Sequence, residues 1–278
     1  MGSKLIQHTV SKPKTSIITV TYDKDLEFLK YNLKSIKKFC REYHENVVVI
    51  DDHENDCIET QRYLDSIGQK YYINKEAKFV KRGYVRQQYI KLLSDLYVSP
   101  DTDYICHIDA DSIFKQSHTP DRFFRNNKPI LIKNNYIKLE QAFKQRGEDP
   151  KWYMRWKETT SDILKFDVEY EFMGRMPLVY PKNLTKQVRE HLEKIHSCSL
   201  LDLVKDLLIM SEYNVLGAYA YKFTPEDFFW IDRWETEHLI PETNYKDIFG
   251  HYSSRKLQQP HRFVDLSDKD NPISKLLD

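Results

Sequence analysis

Residues 103–114 read DYICHIDADSIF, with the carboxylates of Asp109 and Asp111 at the end of an otherwise apolar run. Tyr104, Ile105, Cys106 and Ile108 have the composition of a buried strand, where an unpartnered carboxylate is costly. A strand that ends in Asp-X-Asp carries both side chains past the sheet edge, where they can share a hard cation. Such a pair holds Mg²⁺ or Mn²⁺ and leaves coordination positions for phosphate oxygens. The cation would neutralise charge developing on a diphosphate leaving group. Ala110, between the two acids, is small enough to let a ribose approach closely. His107 would share a face with Asp109 only while the strand stays regular, and is read as a hydrogen-bonded core histidine.

The surrounding elements must place that turn at a ligand. SIITVTY (16–22) is a β-branched apolar run and predicts a buried strand. In DLEFLKYNLKSIKKFC the residues Leu26, Leu29, Leu33, Ile36 and Cys40 recur at helical spacing, an amphipathic helix. ENVVVIDD (45–52) is a second strand closing on two acids, ETQRYLDSIG (59–68) a short helix and QKYYI (69–73) a third strand. YVRQQYIKLLSDLYV puts Val85, Tyr89, Leu92 or Leu93, and Leu96 on one helical face. The alternation predicts one α/β domain with a mostly parallel central sheet flanked by helices. Ligands of such sheets bind beyond the carboxyl ends of the strands, where Tyr22, Asp51, Asp52, Asp109 and Asp111 fall.

The second half differs in character, with all four tryptophans beyond residue 150 as the pairs Trp152/Trp156 and Trp230/Trp234. Aromatics at i, i+4 form packing stripes on helices, and their faces also suit the C–H patches of sugar rings. Trp152 and Trp156 lie in the charged stretch EDPKWYMRWKE and are the pair expected to meet an acceptor. PILIKNNYI (129–137) and MPLVYP (176–181) predict strands, LTKQVREHLEKI a helix, and the run from Leu200 toward Gly217 another.

Over 278 residues, 31% are charged, 40% are hydrophobic and the formal net charge is +1, an ordinary globular composition without an overall field toward nucleic acid or membrane. Lys75, Lys78, Lys81, Arg82 and Arg86 cluster locally, either as a solvated face or as partners of phosphate. The four cysteines are far apart and lack any C-x-x-C pair, so neither a disulfide framework nor a zinc site is expected. No apolar stretch has spanning length and no leader is apparent. A cytoplasmic location is the expectation. Residues 1–14 and 261–278 read as tails and 15–260 as the domain, with 15–115 a donor half and 116–260 an acceptor half.

The order SIITVTY, VVVIDD, YVRQQYIKL, DYICHIDADSIF resembles nucleotide-sugar-dependent glycosyltransferases of the GT-A fold, most closely over residues 15–115. That resemblance implies a transferase that takes a UDP- or GDP-sugar donor, with inversion expected and Mn²⁺ or Mg²⁺ as cofactor. By matching position it implies Thr21, Tyr22 and Asp52 at the base and ribose, Arg86 and Gln87 at the donor phosphate or sugar, and Asp109 and Asp111 at the metal. It further implies an acid opening a helix on the acceptor side, for which Glu212 is the candidate base, with Asp202, Asp206, Glu226 and Asp227 as rivals. A late histidine would complete the metal shell, His251 before His261, with Arg255 and Lys256 beyond it toward the β-phosphate.

The expected acceptor is a hydroxyl of a saccharide or glycan. A hydroxymethylated base in nucleic acid is an alternative. A sugar nucleotidyltransferase would carry a Gly-rich loop after the first strand, whereas TYDKDLEF has no glycine. A non-catalytic sugar- or nucleotide-binding protein of the same fold is the reading from a different class, and turnover of a nucleotide sugar separates it from the enzyme.

Overall fold

The structure, a computed structural model, describes residues 12–53, 57–114, 116–174 and 177–236. The expectations for residues 1–11 and 237–278, including His251, Arg255, Lys256 and His261, lie outside the described residues. In chain order the elements begin β1 (Thr15–Thr21), α1 (Leu26–Phe39), β2 (Glu45–Asp51), α2 (Ile58–Ser66), β3 (Tyr71–Asn74), α3 (Gly83–Leu92) and β4 (Tyr104–Asp109). The second half follows as β5 (Phe124–Arg125), β6 (Lys128–Asn135), α4 (Tyr136–Gln145), α5 (Lys151–Leu164), β7 (Tyr170–Glu171) and β8 (Leu178–Pro181). It closes with α6 (Lys182–His196), α7 (Leu200–Val204), α8 (Glu212–Phe223) and β9 (Phe229–Asp232).

The main sheet has strand order β3-β2-β1-β4-β8, with only the β4–β8 pair antiparallel. Chain order reverses direction at β1, so the crevice between the ends of β1 and β4 is a topological switch point. Both faces of this sheet are covered, which is why its strands read as unbroken apolar runs. Ile18, Val20, Val47, Val49 and Ile105 belong to one core with α3, α6 and α8. Their alternating neighbours Ile17, Val48, Ile50, Cys106 and Ile108 belong to a second core with α1 and α2. That two-residue alternation decides which strand-end side chains face α3.

A smaller sheet joins β5, β6 and β7, with β9 parallel to β6. No helix among the described residues is long and apolar enough to cross a membrane.

Four expectations are corrected. The helix over 84–98 stops at Leu92, a short 3₁₀ turn follows, and Leu96 lies exposed instead of joining the buried face. The run from Leu200 is broken into α7 and α8, because the Ser211 side chain accepts the Asn214 N–H and caps a new helix. Strand 129–137 ends at Asn135, whose side chain caps α4 by accepting from the N–H groups of Ile137 and Lys138. Trp230 sits in β9 and Trp234 beyond it, so that pair is no helical stripe.

Candidate active site

β4 ends at the carboxylate pair that the sequence singles out, and the face alternation explains where its side chains go. Ile105, His107 and Asp109 share the face toward α3. Ile105 is core there, and His107 Nε2 lies 2.8 Å from Ser94 Oγ with its ring between Tyr180 and Tyr213. Burial first, then the nearby Lys91 charge, depress the His107 imidazole to about 3, so it is a neutral core histidine. Asp109 emerges next along this face. Its Oδ1 accepts from Lys91 Nζ at 2.8 Å and from Gln87 Nε2 at 3.4 Å. The turn after it is pinned from α1, since buried Asn32 Nδ2 donates to the carbonyls of Asp109 (3.2 Å) and Ser112 (2.7 Å). Asp111 projects from this turn and is exposed.

Lys91 is the centre of the arrangement. Its side chain is 2% exposed, and its Nζ lies 2.8 Å from Asp109 Oδ1, 2.9 Å from Glu212 Oε1 and 3.2 Å from Tyr213 Oη. Burial works against its charge, yet Asp109 and Glu212 together outweigh it, and the ammonium titrates well above its usual value. Glu212 opens α8 with a fully buried side chain, and its N–H donates to Gln88 Oε1 at 3.2 Å. Its Oε1 meets Lys91 at ion-pair distance but outside hydrogen-bond alignment, and Oε2 has no hydrogen-bond partner. Burial therefore wins over the single ammonium it shares with Asp109, and its carboxyl is raised above the ordinary range.

Beside this group, a cleft of about 380 Å³ opens at the ends of β1 and β2. Thr21, Tyr22, Asp51, Arg86 and Gln87 are among its walls, with Gly83 and Tyr84 at the start of α3. Asp51 Oδ2 accepts from Arg86 Nε at 2.8 Å, and His53 Nδ1 stands 3.4 Å from its Oδ1. A third carboxyl, Asp25, comes toward the Asp109–Asp111 turn from the segment after β1. Burial pushes it up to about 7, with the charges of Asp111 and Asp109 adding to the effect and the Tyr22 hydroxyl opposing it. Among the described residues no group of three or more His, Cys, Asp or Glu is arranged to hold a metal ion. The all-oxygen pair Asp109 and Asp111 still suits Mg²⁺ or Mn²⁺ shared with a diphosphate, which supplies the remaining oxygens together with water.

The residues singled out from sequence thus fall into three groups. Thr21, Tyr22, Arg86 and Gln87 meet at the cleft, Asp109 and Glu212 meet at Lys91, and Asp111 acts with Asp109 on the nearby Asp25. Asp52 does not line the cleft: it is buried, and its carboxylate takes the Cys57 thiol on the α2 side, because it alternates with Asp51. Ala110 turns its methyl into the core with Ile108 and Phe114, which leaves its backbone to meet a ligand. Trp156 is buried with its ring 5.7 Å from that of Tyr84, a packing residue and not an open platform; the side chain of Trp152 lies outside the described residues. Asp202 and Asp206 are exposed and paired with Lys205 and Lys81, and Glu226 and Asp227 are exposed on a 3₁₀ turn.

Lys91, Asp25 and Tyr84 went unmarked in the sequence. Gln87, Gln88 and Lys91 on α3, with Ser94 in the 3₁₀ turn after it, form a polar stripe at helical spacing, and that stripe is the signal for Lys91.

Fold and site together define a mixed α/β domain with helices on both sheet faces and a carboxylate-rich cleft at the switch point. The chain belongs to the family described as "Family of unknown function (DUF6492)", which it matches over residues 14–244. Among solved structures it is similar to the galactosyltransferase LgtC in complex with donor and acceptor sugar analogues, at 12% identity. That match covers 78% of this chain and 73% of that one, with a TM-score of 0.45, too loose to transfer residue roles. No curated protein matches.

Proposed function

We propose that this protein is a metal-dependent glycosyltransferase that moves a sugar from a nucleotide-sugar donor to a hydroxyl of a saccharide acceptor. The observation that carries the reading is the convergence, at one switch point, of the Asp109–Asp111 turn with a cleft walled by Tyr22, Asp51 and Arg86. In this reading Asp109 and Asp111 hold Mg²⁺ or Mn²⁺, which when bound supplies positive charge for the departing diphosphate. Tyr22 offers a ring face to the nucleobase, and Asp51 an acceptor for a base or ribose N–H or O–H. Arg86 and Gln87 reach toward the phosphates. The acceptor oxygen attacks the anomeric carbon, the carbon–oxygen bond to the diphosphate breaks, and the acceptor proton leaves to a base.

Inversion in a single displacement remains part of the proposal, but the position of Glu212 changes its assignment. Lys91 bridges Glu212 and Asp109, and the Glu212 side chain is fully buried, which supports reading it beside the metal pair and not at the acceptor. A base must reach the acceptor hydroxyl from the opposite side. Glu212 is therefore assigned to holding Lys91, and through it Asp109, in place. The test is incubation with a panel of nucleotide sugars and simple saccharides plus Mn²⁺. Release of nucleoside diphosphate with a new glycosidic linkage supports the reading. Nucleotide sugars that stay intact with every acceptor and metal contradict it.

A further inference from the structure

The surface next to the cleft mouth has features that sugar transfer does not use. Among the described residues Leu208 is 73% exposed and Phe79 58%, large apolar side chains presented to water. Two segments bring them onto one surface: the Lys81 N–H donates to the Lys205 carbonyl at 3.1 Å, and Lys81 Nζ pairs with Asp206 at 2.6 Å. Phe79 is two residues from Lys81 and Leu208 three from Lys205. Tyr84, 49% exposed, continues the surface to the cleft that it lines together with Gly83.

The same two segments carry cations. Lys75, Lys78, Lys81, Arg82 and Lys205 stand against Glu76, Asp202 and Asp206, a local positive surplus in a chain of net charge +1. Lys81 and Lys205 are answered by Asp206 and Asp202, and Glu76 accepts the Tyr89 hydroxyl. Lys75, Lys78 and Arg82 have no ion-pair partner among the described residues, and Lys78 Nζ lies 5.3 Å from the centroid of the Phe79 ring. Protruding apolar tips flanked by unpaired cations fit a surface that is apolar within and anionic outside. An aliphatic tip such as Leu208 has no stacking role on single-stranded nucleic acid.

We infer that this face docks on an anionic lipid bilayer, with Phe79 and Leu208 at the acyl boundary and Lys75, Lys78 and Arg82 among the headgroups. Docking in this way holds the cleft mouth at the membrane. The inference stands apart from sugar transfer, because its evidence is a surface and its readout is binding.

The experiment is co-sedimentation of the full chain with phosphatidylcholine vesicles, with and without phosphatidylglycerol, at low and high salt. The variant pairs are Lys78→Glu/Arg82→Glu and Phe79→Ser/Leu208→Ser, with thermal melting to show that both fold. The expected result is binding to the anionic vesicles only, weakened by salt. Each lost cation should weaken it about fivefold, and the charge-reversal pair by more than tenfold. The apolar pair should also bind at least several-fold more weakly. Absence of co-sedimentation, equal binding to neutral vesicles or unchanged binding by the folded variants would overturn the inference. Retention on soluble DNA or heparin without vesicle binding would replace it with a polyanion site.

Discussion

Replacing Lys91 by methionine removes the cation that lies 2.8 Å from Asp109 and 2.9 Å from Glu212. Methionine has nearly the same length, so little packing is lost and the change isolates the charge. Two carboxylates are then left facing each other, one of them fully buried. Breaking a buried pair from one side costs about 3–5 kcal/mol. For a domain of this size, where 1 kcal/mol moves the melting temperature by roughly 2–4 °C, the loss is at least about 6–12 °C. The deficit should also depend on pH. Without Lys91 the Glu212 carboxyl, already raised by burial, rises further above its unfolded value. The native state then holds a proton that the unfolded chain has released, so the deficit is small below the unfolded pKa and grows as pH rises toward the folded one. Differential scanning fluorimetry at pH 5 and pH 8 reads both effects. Glu212→Gln, which leaves Lys91 paired with Asp109, should cost less, and the double variant should cost less than the sum by about 1 kcal/mol or more. A Lys91→Met protein that melts within a degree or two of wild type at both pH values would refute the buried charge network.

Three further outcomes are expected. Asp51→Asn should weaken binding of the donor nucleotide by about tenfold, the size of one charge-assisted hydrogen bond, while Asp52→Asn leaves it nearly unchanged; calorimetry showing the reverse order would place the base on the α2 side. His107 should stay neutral at pH 5 in ¹H–¹⁵N spectra of the imidazole, since its folded value is about 3, so its contribution to stability erodes as pH falls below the unfolded value near 6.5. A charged His107 at pH 5 would contradict its core position. NMR of the product linkage should show inverted anomeric configuration, and a retained configuration would rule out the single displacement.

The strand that carries Asp109 and Asp111 was legible because an apolar run can close on two acids only where the chain leaves the sheet and its side chains reach water or a cation. The βαβ order was legible because strands buried on both faces are continuous in hydrophobicity while the helices between them are periodic. The choice between Asp51 and Asp52 was not. Adjacent residues at a strand end point to opposite faces, and the parity is settled only once Val47 and Val49 are known to pack toward α3. Lys91 was hidden for a related reason: a lone lysine on a helix normally reaches solvent, and only the packing of α8 closes over it. The break between α7 and α8 hid inside a run of leucines, where the apolar pattern outweighed the cap signal of Ser211. The charged neighbours of Trp156 mask its burial, since one face of α5 is polar while the other is buried.

The central claim is that Asp109 and Asp111 join a divalent cation to a nucleotide diphosphate at the end of β4. Isothermal titration of UDP and GDP, with and without Mn²⁺, into wild type and Asp111→Asn measures this directly. One nucleotide should bind tightly only with Mn²⁺, and Asp111→Asn, folded as judged by its melt, should lose that metal-dependent part. Equal affinity with and without Mn²⁺, or unchanged Mn²⁺-dependent affinity in Asp111→Asn, would contradict the account.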